Sequence, residues 1–282
     1  MEQIEFLLAI FAAGLGAGIL GAILGLGGGI LLVPVLTMFF GINLRDAMGA
    51  SIVSVIATSC GAAAGHLRSR LSNLRIGLFL AVFTVLGALV GSALVGVVPA
   101  RALELVFGLA LGYSVVTTLR QLDLETTDAV AADPLALRFS LEGSYHDRAL
   151  GRDISYRARH VRSGAAAMFV AGALSGLLGI GSGAFKVLAM DYFMRLPMKI
   201  STATSNFMIG ITAAASAGVY FGRGDIQPVL VTPVAVGVLA GAYLGTRLIG
   251  RLRSTTIRRL FVPVVAYLAI AMVLRGLGLY RG

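Results

Sequence analysis

Charged side chains are scarce in this sequence, lysine is nearly absent, and tryptophan is missing altogether. Only 13% of the 282 residues are charged, against about 25% in a soluble domain. Too few charges remain to cover a water-facing surface, so a free-standing soluble enzyme or regulatory domain is excluded. The one cysteine, Cys60, rules out an intramolecular disulfide. Its place inside an apolar run fits a small packing group. The three histidines form no cluster with metal-ligand spacing: His66 ends an apolar run near Arg68, while His146 and His160 lie in a polar stretch. No metal and no cofactor are expected. Nor is there a Gly-x-x-x-x-Gly-Lys-Ser/Thr loop, so nucleotide hydrolysis is not expected as an energy source. No Lys or Arg precedes Arg45, and Glu2 and Glu5 stand near the start. The basic region of a secretory signal is therefore missing, and the first apolar run is expected to belong to the mature fold.

What the chain has instead is apolar length. Hydrophobic residues make up 57% and the mean hydropathy is +0.91. Apolar runs cover about 4–40, 47–66, 76–98 and 102–119, then about 164–194, 200–221, 227–249 and 260–280. The length allows about eight to ten crossings of a bilayer, and runs of this kind read as membrane helices because hydrocarbon offers no partner to an open backbone. The expected fold class is all-α, a polytopic helical membrane protein whose first partner is the lipid bilayer. Residues 1–119 and 164–282 form two transmembrane halves. Between them, 120–163 holds seven acids and seven arginines and is expected as an ordered cytoplasmic linker. The alternation over Leu137–Tyr145 predicts a short strand there. The net charge is +10. Its arginines sit in short stretches between apolar runs rather than along one polar face, so they read as topology-setting charge and not as a nucleic-acid surface.

The two halves repeat. A single shift of 154 positions lays Gly25-Leu26-Gly27-Gly28-Gly29 on Gly179-Ile180-Gly181-Ser182-Gly183. It also lays Ser51 on Ser205, Gly87 and Gly91 on Gly241 and Gly245, and Ser92 on Thr246. Charge bias in equivalent loops flips between the halves. Arg68, Arg70 and Arg75 face Arg223 and Asp225 across the repeat, and a lone Arg101 corresponds to Arg251, Arg253, Arg258 and Arg259. By the positive-inside rule equivalent loops then lie on opposite sides. This predicts inverted-topology repeats, with both termini outside the cell and the linker inside. Each half must then cross an odd number of times. The segments 4–40 and 164–194 are too short for two full crossings, which need about 60 Å, so each is expected to be a hairpin of short or broken helices.

The glycine runs are the expected breaks. A helix broken at membrane depth is tolerated where it lines a polar cavity, and the half-helix after the break offers free N–H groups and a positive dipole end to an anion. Broken helices at matching places in two repeats point to a transporter site. The candidate binding residues are Gly27, Gly28 and Gly29 with Ser51 in the first half. In the second half they are Gly181, Ser182, Gly183 and Lys186 with Thr204, Ser205 and Asn206. Lys186 is the strongest single candidate, because an ionisable side chain inside the membrane costs about 3 kcal/mol. A snorkelling lysine, or one paired with Asp191, is the structural alternative. Asp191 is the candidate proton carrier. The hydroxyl and amide groups are neutral anion donors, or else interhelical hydrogen bonds of about 0.6 kcal/mol each. Gly14/Gly18, Gly87/Gly91 and Gly237/Gly241/Gly245 fit close helix packing.

These motifs resemble the TauE/SafE sulfite exporter family of membrane transporters. The resemblance is carried by Gly27-Gly28-Gly29 with Pro34 downstream and Ala47-Met48-Gly49-Ala50-Ser51 in the next helix. In the second half it is carried by Gly179-Ile180-Gly181-Ser182-Gly183 and Ser201-Thr202-Ala203-Thr204-Ser205-Asn206. The resemblance implies a two-repeat exporter of small sulfur oxyanions, such as sulfite or organosulfonates, with its site at the broken helices and the Ser/Thr/Asn segments. The chain departs from the pattern where Pro34 maps to Leu188 and Leu32 maps to Lys186.

Other classes fit less well. An intramembrane serine hydrolase built on Ser182 would need a base within hydrogen-bond reach, and His66 at a helix end does not supply one. An anion channel and a same-fold transporter of another small solute, such as a carboxylate, stay open. A cation is disfavoured by Lys186 and by the lack of a central acid pair. For an anion, the inside-negative potential itself favours exit, by about 2.3 kcal/mol per charge per 100 mV. A homo-oligomer is compatible with the sequence.

Overall fold

A computed structural model describes residues 3–24, 28–68, 72–120, 133–147, 152–249 and 254–279. Its frame is a bundle of long helices. α1 (Gln3–Leu24) stops before the glycine run, and the short α2 (Gly29–Phe39) starts at its last glycine. α3 (Leu44–Arg68), α4 (Leu74–Leu94) and α5 (Ala100–Arg120) complete the first half. The second half repeats the order. α7 (Val161–Leu178) ends at Gly179, and the short α8 (Gly183–Leu188) continues into a π-helical turn, Ala189–Phe193. α9 (Met198–Gly222), α10 (Pro228–Ile249) and α11 (Ser254–Gly276) follow. The second break is sharp because Gly179, Ser182 and Gly181 all take left-handed backbone, with φ of 66°, 45° and 71°, a region that ends an L-residue helix. Among the described residues, α1, α4, α7 and α10 are long and apolar enough to cross a membrane. The chain is thus an all-α polytopic membrane protein.

Helix packing links the halves to one another. α1 packs along α10: a side chain at Gly18 would run into the Val238 backbone, and one at Gly241 would run into the Leu15 carbonyl. The shift of 154 turns this pair into α7 against α4. There Gly172 meets the Thr84 backbone and Gly87 meets the Phe169 carbonyl, the equivalent contacts at the equivalent places. In both pairs the helices run parallel. The equivalent helices α3 and α9, by contrast, pack antiparallel. Gly49 lies against Asp225, the Ser59 hydroxyl donates to the Asn206 carbonyl at 2.5 Å, and the Ser72 hydroxyl donates to Ala203 at 2.8 Å. α5 and α11 also run antiparallel, with Gly108 against Val273 and Gly276 against Arg101, and are tied by Arg275 Nε to Glu104 Oε1 at 3.4 Å; Arg275 also donates to the Thr37 carbonyl of α2 at 3.2 Å.

The radial pattern suits a lipid solvent. Large apolar side chains point outward, including Leu78, Val82 and Leu86 of α4 and Val236, Leu239 and Leu244 of α10. Among the apolar side chains of the interior are small hydroxyls, including Ser51, Ser54, Thr84, Ser205 and Thr212, which donate to nearby carbonyls where water is excluded.

The described residues between the halves correct the strand expected over 137–145. Asp133 caps a short helix, α6 (Pro134–Arg138), and the strand β1 (Glu142–Asp147) begins only after Ser140 at φ 51°. An Asp cap with proline at the first helical position is a stronger local signal than alternation. β1 pairs antiparallel with β2 (Arg152–Arg157). The hairpin docks on the turn before α4, where Asn73 Nδ2 donates to the Glu142 carbonyl at 3.2 Å and to Tyr156 Oη at 3.0 Å. The Arg159 amide donates to Met194 O at 3.0 Å just beyond the π-helical turn.

Candidate functional site

The two chain breaks meet. Gly29 stands at the start of α2, and a Cβ built there would lie 3.5 Å from Ile180 Cα and 2.6 Å from Ser51 Oγ. Only glycine fits without a shift, because the Val55 and Ser51 side chains of α3 fill that space, while the backbone of the other break lies at contact distance. Ser51 on α3 binds both breaks at once: its hydroxyl lies 2.7 Å from the Gly179 carbonyl and 3.2 Å from the Gly29 carbonyl. Ser205 on α9 makes the equivalent contact to the Gly183 carbonyl, also at 3.2 Å. Gly181 packs between Val55 of α3 and Ile209 of α9. Neither short helix is capped by a side chain at its start. The breaks therefore sit side by side between α3 and α9.

Lys186 lies one turn into α8 and is 0% exposed. Its Nζ donates to the Gly181 carbonyl at 3.0 Å and to Thr212 Oγ1 at 3.0 Å. Thr212 in turn lies 3.4 Å from Thr84 Oγ1 on α4. Both partners of the ammonium are neutral, so the expected alternative of a Lys186–Asp191 pair is not what the structure shows. Nor does the side chain snorkel. An ammonium has three N–H donors, and among the described residues two acceptors meet it. It is the one buried cation among the described residues.

The remaining sequence candidates are distributed around this point. Asp191 sits in the π-helical turn with Ser201 beside its carboxylate. π-helical turns recur at functional sites. Asn206 is buried on α9 opposite Ser59. Two candidates are committed elsewhere. The Ser182 hydroxyl donates to the Ala171 carbonyl of α7 at 2.7 Å, and Thr204 Oγ1 accepts from the Asn73 amide at 3.2 Å, tying α9 to the turn before α4. Gly28 is buried against Ala17 of α1. Gly27 and the side chain of His66 lie outside the described residues.

Sequence reasoning missed Thr212 and Thr84, which carry the polar chain from Lys186 to α4. One signal for Thr212 was available: the shift of 154 lays it on Thr58, so both halves keep a hydroxyl at that point. Thr84 maps to Val238 and gave no signal. The Glu104–Arg275 pair was also missed, since Glu104 stands near the start of its run and reads as an interfacial acid.

Comparison with known proteins follows the same outline. A family model described as sulfite exporter TauE/SafE matches residues 10–272. The probable membrane transporter protein YdhB of Bacillus subtilis is 28% identical over 243 residues, covering 86% of this chain and 88% of that protein. YunE of the same organism, also named a probable membrane transporter protein, is 24% identical over 271 residues, covering 94% and 96%. A probable membrane transporter protein of Xylella fastidiosa is 25% identical over 275 residues, covering 96% and 97%. No solved structure matches the chain.

Proposed function

The chain belongs to the sulfite exporter TauE/SafE family and is a membrane transporter; from that premise we propose that it exports a small anion, sulfite or an organosulfonate, across the cell membrane. The site lies where the two breaks meet between α3 and α9, with Lys186 as the charged ligand and the backbone around Gly29 and Gly181–Gly183 as the cradle. The observation that carries this reading is a fully buried lysine, 0% exposed, whose partners are both neutral. A permanent structural lysine would be stabilised by a carboxylate. A lysine awaiting an anion is best held by weak neutral acceptors that the anion can outcompete.

The packing supports inverted repeats. Equivalent helices α3 and α9 run antiparallel, as do α5 and α11, so the internal two-fold axis lies across the helices. For helices along the membrane normal, that axis lies in the membrane plane. The charge supports a cytoplasmic linker: Arg75 and Arg195 stand at the end of the bundle where the hairpin docks, beside Arg157 and Arg159. On this reading the units are 1–119, 120–163 and 164–282. The full burial of Lys186 favours a carrier that alternates over an open pore. The Ser182 hydroxyl, spent on the Ala171 carbonyl, speaks against a buried nucleophile.

The test is ligand-dependent thermal stabilisation of the detergent-purified protein with sulfite, sulfoacetate, taurine and chloride. A ligand of the folded state raises the midpoint with its concentration. Sulfite should do so in the native chain and not in Lys186→Ala, and the same variant should lose transport in proteoliposomes while still inserting. Near-native transport by Lys186→Ala would remove Lys186 from the site.

A further inference from the structure

The sequence repeat and the buried lysine together bear on the charge of the transported species. The shift that superimposes the halves lays Thr212 on Thr58, so the hydroxyl next to the lysine exists in both halves. It lays Lys186 on Leu32. Leu32 is 0% exposed, as is Lys186. Of two equivalent buried positions beside the meeting breaks, one carries a charge and the other a hydrocarbon. Around them the walls are neutral: Val55 and Ile209 against Gly181, Ile180 beside Gly29, and the hydroxyls of Thr84 and Thr212.

We propose that this site selects singly charged anions over doubly charged ones, with Lys186 as the valence-determining residue. The inference rests on the anion-binding reading above and goes beyond it. A charge buried in a low-dielectric interior is costly unless it is paired. Lys186 can neutralise one negative charge. A singly charged oxyanion leaves the occluded site neutral, and its oxygens take the ammonium donor that has no acceptor among the described residues. A doubly charged anion leaves one negative charge among threonines and aliphatic side chains. Had Leu32 also been lysine, the symmetric pair would have matched two charges. The acids nearest in sequence add nothing positive: Asp191, five residues along the same broken helix, is itself an acid and disfavours a second negative charge nearby.

The experiment uses probes whose charge is fixed at neutral pH: methanesulfonate against sulfate, and acetate against malonate. Binding to the intact purified protein is followed by thermal shift at one pH and one ionic strength, in the native chain and in Lys186→Met, which keeps the side-chain volume without the charge. The singly charged member of at least one pair should bind tighter than its doubly charged counterpart by roughly a factor of ten or more, and Lys186→Met should abolish that binding. Equal or tighter binding of sulfate or malonate, lost in Lys186→Met, would overturn the valence rule while leaving the anion site standing. No binding by any of the four to the native chain, or binding unchanged in Lys186→Met, would overturn the underlying site and the valence rule with it. The native-chain comparison stands whether or not the variant folds.

Discussion

Single residues in this protein divide by what their polar atoms are committed to. Ser51 and Ser205 were legible as matched intramembrane hydroxyls, and each binds a carbonyl at a break. Thr204 was equally legible, yet its oxygen serves the turn before α4. Sequence position shows that a hydroxyl is at depth but not which neighbour it meets, because that neighbour lies 131 residues away. Outside the membrane, Asp133 shows the same division with a measurable consequence. Its carboxylate accepts from the Leu135 amide at 2.9 Å and, through its other oxygen, from the Val161 amide at 2.8 Å. These two bonds, with the backbone of Val161 contributing most, hold the carboxyl below its ordinary value. The fold therefore favours the ionised form. Its contribution is present above the unfolded value of about 3.9 and is lost as pH falls through the lower folded value. Asp133→Asn keeps one acceptor oxygen and should cost about 1 kcal/mol at neutral pH. The difference in thermal midpoint between the native chain and this variant should be constant from neutral pH down to about pH 5 and shrink below about pH 4. A difference that stayed flat into the acid range would show that ionisation of Asp133 has no part in the docking.

At the scale of elements, the breaks and the helix-packing glycines were legible for the same reason: glycine at membrane depth has few uses. Which use applies was not legible. Gly87, Gly91 and Gly241 carry backbone-to-backbone contact between helices of different halves, whereas Gly112 and Gly218 have open space beside their Cα. The pairing itself, α1 with α10 and α7 with α4, was invisible, because a periodic pattern records that a helix face is small without recording what covers it. The consequence is a sharp contrast between chemically identical changes. Gly87→Ala and Gly241→Ala force a methyl into a facing carbonyl and should each destabilise by about 1–3 kcal/mol, the range for an overpacked contact. Gly112→Ala and Gly218→Ala meet nothing and remove backbone entropy from the unfolded chain, so they should be neutral or stabilise by up to about 1 kcal/mol. Thermal midpoints of the four purified variants in one detergent decide it. Equal losses at all four positions would mean that the α1–α10 and α4–α7 contacts contribute nothing special.

For the whole molecule, the question is how the two halves lie in the bilayer. Composition already gave a membrane bundle, and the constant shift of 154 already gave two equivalent halves. Orientation is subtler, since a two-fold axis along the membrane normal and one in its plane both interchange equivalent helices. The antiparallel packing of α3 on α9 separates them: an axis along the normal would leave these helices parallel. The parallel packing of α1 on α10 fits the proposed inverted repeat, in which α10 corresponds to α4 turned over. This reasoning commits the loop before α3 and the loop before α9 to opposite faces of the membrane, although the shift makes them equivalent. Asn43 stands just before α3, and Pro197 stands just before α9. In a background where the exposed Cys60 is replaced by serine, Asn43→Cys should react with a membrane-impermeant maleimide applied to intact cells. Pro197→Cys should react only after the membrane is opened, since its neighbours Arg159 and Arg195 belong to the more basic face that the positive-inside rule keeps in the cytoplasm. Labelling of both from the same side would place the axis along the normal. The glycine breaks would then meet as parallel rather than opposed half-helices, and a carrier that exposes one midplane site to each side in turn by exchanging the roles of its halves would no longer follow from the fold.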